Sequence, residues 1–240
     1  MKKYLSLFAF ALFAGALTFS LSACGGDDDE TPDTPSGDSN VDNGHVYVDL
    51  GLPSGLKWAD RNVGADKVEA YGDYFAWGET KAKSDYSWST YAYGSDYNKL
   101  TKYCSSSSYG LNGFTDALTE LELSDDAARA NWGGSWRMPT RSDFQELINN
   151  TTAEWIENYN ETGVKGYRFT ASNGNYIFLP AAGYRDDTSL NGVGLGCGYW
   201  SRSLYQGYLG YAYGLRFISE EVNVTTFFRE DGHSVRPVRP

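Results

Sequence analysis

The chain has 240 residues, 41% of them hydrophobic and 16% aromatic, which is enough for one domain with a core of its own. Its formal net charge is −11, so it lacks the clustered cations that a phosphate backbone requires, and nucleic acid is excluded as a partner. Two His and three Cys are too few to suggest a zinc or haem site, so no cofactor and no metal is expected.

The chain opens with Lys2 and Lys3, followed at residues 5–21 by an apolar run that is short for a membrane span. Leu21-Ser22-Ala23-Cys24 then resembles a bacterial lipobox. Residues 1–23 thus read as a lipoprotein signal peptide, and Cys24 as the lipidated first residue of the mature chain. Acyl chains contribute about 0.8 kcal/mol per buried CH2, so Cys24 would tether the protein to a membrane without a spanning helix. Residues 24–43 hold seven acids, Pro32, Pro35 and no basic residue, the composition of a disordered stalk. An acidic run directly after the lipidated cysteine is similar to the surface-export signal of Bacteroidota-type lipoproteins. The expected address is the outer membrane, facing the cell exterior; a spacer on a periplasm-facing lipoprotein is the alternative.

Residues 44–240 read as one domain. Residues 45–50 alternate like a strand, Pro53-Ser54-Gly55 turns the chain, and residues 56–59 form the next strand. Residues 71–110, rich in Tyr, Ser and Gly, lack a stable period and read as long loops pinned by aromatics. Ser124 is the expected cap of a first helix through Ala127, Ala128 and Ala130, ending near Gly133-Gly134. Thr140 caps a second, with Phe144, Leu147 and Ile148 on one apolar stripe. Residues 167–171 and 176–179 flank Asn173-Gly174, a signal for a hairpin with a two-residue turn. Gly192 to Gly198 is a tight glycine-rich loop before a strand. Residues 211–218, 222–228 and 234–238 read as three further strands, with Asp231-Gly232 turning the last pair. Strands, then helices, then a meander argue for α+β with a mainly antiparallel sheet and two helices.

Several blocks carry a family resemblance. They are Tyr47-Val48-Asp49-Leu50-Gly51-Leu52-Pro53-Ser54-Gly55, Tyr71-Gly72-Asp73-Tyr74-Phe75-Ala76-Trp77-Gly78-Glu79, Trp136-Arg137-Met138-Pro139-Thr140, Leu179-Pro180-Ala181-Ala182-Gly183-Tyr184-Arg185, Gly198-Tyr199-Trp200-Ser201 and Gly232-His233-Ser234-Val235-Arg236-Pro237-Val238. Together they resemble the Fibrobacter succinogenes major paralogous domain (FISUMP) of surface lipoproteins, and more widely the C-type lectin-like class. The resemblance implies a C-type lectin-like fold, N- and C-terminal strands side by side, and ligand display rather than catalysis.

No G-x-S-x-G, H-E-x-x-H or P-loop is present. Cys104 and Cys197 could close one disulfide or stand as two free buried thiols; a formylglycine-type copper oxidase, which would need both, is the weak enzymatic alternative. Asp186-Asp187 and Glu220-Glu221 read as solvated turns more readily than as calcium ligands. Glu79 reads as a structural partner of Arg61 or Arg185. Residues 198–213 hold five Tyr interleaved with Gly and Ser, the residues that binding loops favour. By the lectin-like resemblance the ligand contacts are Tyr205, Gln206, Tyr208, Tyr211, Arg216, Thr225, Phe227 and Arg229. Strand parity makes Thr225 and Phe227 co-facial, opposite Val222, Val224, Thr226 and Phe228. The function expected is recognition of an unknown protein or glycan by a lipid-anchored surface protein; the alternative is a structural component of a surface assembly.

Overall fold

A computed structural model describes residues 40–240. The expectations for the signal peptide, for Cys24 and for residues 24–39 of the stalk lie outside the described residues. Strands β1 (Val41–Asp42), β2 (His45–Asp49) and β3 (Lys57–Ala59) come first. Helices α1 (Ala127–Trp132) and α2 (Arg141–Asn150) follow. Then come β4 (Thr151–Ile156), β5 (Gly166–Ala171), β6 (Tyr176–Pro180), β7 (Tyr184–Asp186), β8 (Ser189–Asn191), β9 (Gly196–Leu204), β10 (Tyr211–Ile218), β11 (Glu221–Phe228) and β12 (Val238–Arg239). The pairings between these strands are antiparallel, isolated parallel bridges join Gly183 to Cys197 and Tyr199 to Ser234, and the class is α+β. Among the described residues no helix is long and apolar enough to cross a membrane.

The first sheet has the order β1-β2-β3-β12, so the last strand joins the first three through Val238 opposite Trp58. The folded region starts before the expected boundary at 44. Asn43 and Gly44 both have positive φ and turn Val41–Asp42 back onto β2, the pairing that an Asn-Gly two-residue hairpin gives. Trp136 Nε1 donates to Asp42 O at 3.0 Å, and His45 stacks on Trp132 at 3.8 Å.

Helix α1 is capped by Asp126 rather than Ser124: its carboxylate accepts from Arg129 N, and Leu123–Asp125 is a separate 3-10 turn. Gly133, at φ 65°, ends the helix as expected. Helix α2 begins at the expected Thr140 in a capping box with Asp143 and buries Phe144 and Leu147.

Helix α2 runs straight into β4, which the sequence reading missed, and the second sheet has the order β4-β5-β6. The β5–β6 hairpin is present, but its turn is wider than two residues. Gly174 N donates to Ala171 O, and Gly174 is at positive φ while Asn173 is not. This is a type I turn closed by a left-handed glycine. Residues 71–110 are loops, apart from a 3-10 turn at Trp88–Thr90. Their pins are hydrogen-bonded aromatics: Trp77 Nε1 to Ser201 O at 2.8 Å, Tyr86 OH to Tyr74 O at 2.6 Å, and Tyr91 OH to Trp77 O at 2.7 Å.

The third sheet, β11-β10-β9, divides the interior. Tyr199, Leu215 and Phe217 belong to one core cluster, with Val222 and Val224 packed against it. Trp200, Leu204 and Ala212 belong to the other, with Phe227 against it. Period-two alternation sends neighbouring side chains into opposite cores. A fourth, two-stranded sheet is the β7–β8 hairpin.

At the C-terminus only Val238–Arg239 forms a strand, although residues 234–238 were expected to. Pro237 has no N–H to give to a ladder. Arg236 is fully buried and donates to Asn62 Oδ1 and to the carbonyls of Ala59, Asp60 and Phe178. It ties the chain end to the β3 turn and to β6.

Candidate functional site

The register of β9, β10 and β11 places Gly196, Gly198, Gly214, Arg216, Thr225 and Phe227 on one face of their sheet. Three of these six have no side chain, and Phe227 fills the room left at Gly198 and Gly214. A Cβ on Gly198 would meet Phe227 Cζ at 2.9 Å, and one on Gly214 would meet Phe227 Cε2 at 2.8 Å. The ring of His233 packs against Phe227 at 4.2 Å between centroids and edge-on to Trp200 at 4.7 Å.

Beside this glycine floor opens a cleft of about 440 Å3. Its walls are Tyr184 from β7, Leu195 from the glycine-rich loop, Tyr211 from β10, Phe227 and Phe228 from β11, and His233. Arg216 and Asp231 are its charged groups. Tyr184, Leu195 and Phe228 are exposed, Leu195 to 72%, so the rim offers apolar surface to solvent. Volume and lining are those of a small-ligand or anchor-residue site.

The electrostatics are one-sided. Arg216 faces Glu221 across the β10–β11 turn at 3.5 Å. Burial and the nearby Asp186 and Asp187 push Asp231 up to about 7. Burial, with Asp231 and Asp186 adding to it, pushes Glu230 up to about 8. Burial pushes His233 down to about 3, so its imidazole is neutral at pH 7. Among the described residues neither His233 ring nitrogen has a hydrogen-bond partner, and neither does Glu230 Oε2. Buried polar atoms of this kind cost stability unless something satisfies them.

The expected contact residues separate into four groups. Tyr211, Arg216 and Phe227 line the cleft. Thr225 shares the Phe227 face, opposite Val222, Val224, Thr226 and Phe228 in the register. Tyr205, Gln206 and Tyr208 lie on the β9–β10 connection, away from the cleft lining. Tyr205 meets Tyr213 edge-on, and Tyr208 packs on Tyr97, Tyr109 and Tyr211. Gln206 is exposed. Arg229 is not a surface contact at all. It is fully buried, donates to Tyr91 OH and to the carbonyls of Tyr103, Leu209 and Lys102, and lies 4.9 Å over the Trp77 ring. A guanidinium with those acceptors is part of the core.

Of the two arrangements expected for Cys104 and Cys197, the free one is present: both thiols are free and buried, in different core clusters. Burial raises both above the ordinary thiol range, the opposite of what a reactive thiolate needs. Glu79 is a structural partner, but of Lys83 at 2.9 Å and of Ala92 N, not of Arg61 or Arg185. Among the described residues no three His, Cys, Asp or Glu side chains converge as metal ligands. Tyr184, Leu195, Phe228, Asp231 and His233 were missed by the sequence reading. The only signal for them was the glycine run at 192–198, whose small residues leave a gap for side chains from distant parts of the chain.

No family model, no curated protein and no solved structure matches the chain.

Proposed function

We propose that this chain is a lipid-anchored cell-surface protein, tethered at Cys24 to the outer membrane, that displays a ligand-binding domain of the C-type lectin-like kind. Its role is recognition of a protein or glycan, not catalysis. The observation that supports this most is the cleft beside the Gly196-Gly198-Gly214 floor, with its exposed apolar rim. The sequence motifs that resemble the FISUMP domain support the same reading: Gly198-Tyr199-Trp200-Ser201 supplies part of the floor, and Gly232-His233 supplies a wall. The contact set moves accordingly, from the tyrosine-rich connection to Tyr184, Leu195, Tyr211, Phe227 and Phe228.

The test is binding of the purified full chain to glycan and protein arrays, with the variants Leu195→Asp, Phe228→Ala and Tyr205→Ala. Binding lost in the first two at unchanged melting, and kept in the third, is the expected result. Loss in Tyr205→Ala alone would return the site to the β9–β10 connection. Anchoring is tested by labelled fatty-acid incorporation, which Cys24→Ala abolishes, and by protease shaving of intact cells.

A further inference from the structure

Four carboxylates gather at the Asp231 end of the cleft. The antiparallel bridge of Arg185 with Gly232, hydrogen-bonded both ways at 2.8 and 2.9 Å, sets the Asp186-Asp187 turn beside Glu230-Asp231. Asp231 N donates to Phe228 O at 3.2 Å, and Phe228 pairs with Tyr211, so the turn that carries Glu230 and Asp231 lies beside that wall. Among the described residues none of the four has a Lys or Arg within ion-pair distance. The cations in the neighbourhood are already engaged. Arg229 is bound to a hydroxyl and three carbonyls, Arg185 lies over the Tyr74 ring at 5.3 Å, and Arg216 faces Glu221.

An uncompensated acidic group would be only a solvated surface if the cleft did not supply more. It does so twice. His233 is 1% exposed, lines the cleft, and has no partner for either ring nitrogen. A neutral imidazole offers one acceptor lone pair, which an N–H can use. Tyr184, Tyr211, Phe227 and Phe228 add aromatic rings, whose faces attract cations.

From these groups together we infer that the cleft binds a primary alkylammonium group: the ammonium sits at the Asp231 end and an apolar stem lies along Leu195 and Phe228. This deepens the ligand-binding reading above and rests on it. An ammonium has three N–H donors, enough for a carboxylate and the imidazole at once. A quaternary ammonium has none and would leave His233 unsatisfied. A guanidinium is broad and planar, and the cleft shows no second acceptor set arranged in a fork for it. The same chemistry is found in a free diamine and in a lysine side chain of a partner protein.

The experiment is calorimetric titration of the purified full chain with three probes. Cadaverine represents the free diamine, Nα-acetyl-lysine methylamide the lysine side chain, and p-cresol a neutral ring of suitable size. Asp231→Asn and the double variant Asp186→Asn/Asp187→Asn are titrated alongside, with melting temperatures recorded. The expected result is saturable binding of at least one amine, weakened at least tenfold in Asp231→Asn, less in the double variant, and absent after Nε-acetylation of the lysine probe. Preference for cadaverine over the lysine probe identifies a free amine as ligand; the reverse identifies a side chain. Binding of p-cresol without either amine would overturn the ammonium assignment and leave the cleft as a ligand site. Failure of all three probes, with native melting, would count against both. Should Asp231→Asn prove unfolded, the surface double variant carries the test.

Discussion

The rings of His233 and Phe227 meet at 4.2 Å between centroids, inclined by 43°, and both press on the bare backbone of Gly198. The imidazole brings two unpaired nitrogens to this contact, and the phenyl ring covers the glycine floor. The contact joins the Gly198-Tyr199 segment of β9 to the Gly232-His233 turn. These segments are more than thirty positions apart in sequence, and together they create the cleft wall.

The floor makes a direct prediction. Gly214→Ala puts a methyl group against Tyr199 O and the Phe227 ring and is expected to destabilise the protein by about 1–3 kcal/mol, as overpacking does. Phe227→Ala also destabilises, by opening the contact with Trp200 and His233. The double variant loses less than the sum of the two, with a coupling of at least about 0.5 kcal/mol in urea unfolding, because the clash with the ring is relieved while that with Tyr199 O remains.

Arg229 is expected to be a stability residue. Arg229→Met leaves the carbonyls of Tyr103, Leu209 and Lys102 without their donor and costs on the order of 3 kcal/mol. Arg229→Lys does not restore it, since one ammonium cannot serve the four acceptors that surround the guanidinium. Chemical denaturation of both variants checks this.

Stability should fall as pH rises from about 6.5 to 8. Glu230 and Asp231 titrate near 8 and 7 in the fold, above the value of about 4 for a free carboxyl, so the folded state holds more protons in this range. The stabilisation by their protonated forms is full below the unfolded value and is lost as pH passes through the folded ones. His233 works the other way: its folded value near 3 lies below the unfolded 6.5, so stability is lost as pH falls through that interval. Melting temperature against pH should show the alkaline decline, and Glu230→Gln/Asp231→Asn should flatten it.

How far the sequence foretold this fold depends on whether a signal was local. The Thr140 cap, the Gly133 stop and the span of β10 were all readable, because each is set by residues within a few positions. Asn43-Gly44 and Asn173-Gly174 are the same dipeptide, yet only the first is a two-residue turn. The second accommodates a longer loop, because Asn173 and Asn175 both donate to Asp49 O, over 120 positions away. Arg229 misled for a similar reason. A charged residue at the end of a half-exposed strand reads as surface until the 91–103 loop folds over it. The alternation of Thr225 and Phe227 against Val224 and Thr226 was legible, but the glycines that set the depth of the cleft gain their meaning only from the rings across them.

Tyr208 belongs to an aromatic cluster that fastens the 96–110 loop to the β9–β10 connection: it stacks on Tyr97 at 5.9 Å and meets Tyr109 edge-on at 5.3 Å. Tyr208→Ala is expected to raise hydrogen exchange and proteolytic nicking in that loop, with ligand binding at the cleft unchanged. Deuterium uptake resolved by peptide would check it.

The two free thiols predict a chemical result. Alkylation of the native protein should spare Cys104 and Cys197, and unfolding without a reductant should expose both to the reagent. Peptide mass mapping distinguishes this from a bridged pair.

The glycine floor also sets the terms on which this surface can diverge. A side chain at 198 collides with the His233 ring and with Phe227, and one at 214 with Tyr199 O and with Phe227, so both positions are closed to variation. Leu195 projects from the rim into solvent and can be exchanged freely, while Tyr184 and Phe228 are partly exposed and pack on His233 and Tyr211. Descendants of this chain that changed their preference in ligand would therefore carry the change at the lip of the cleft, over a base handed down intact.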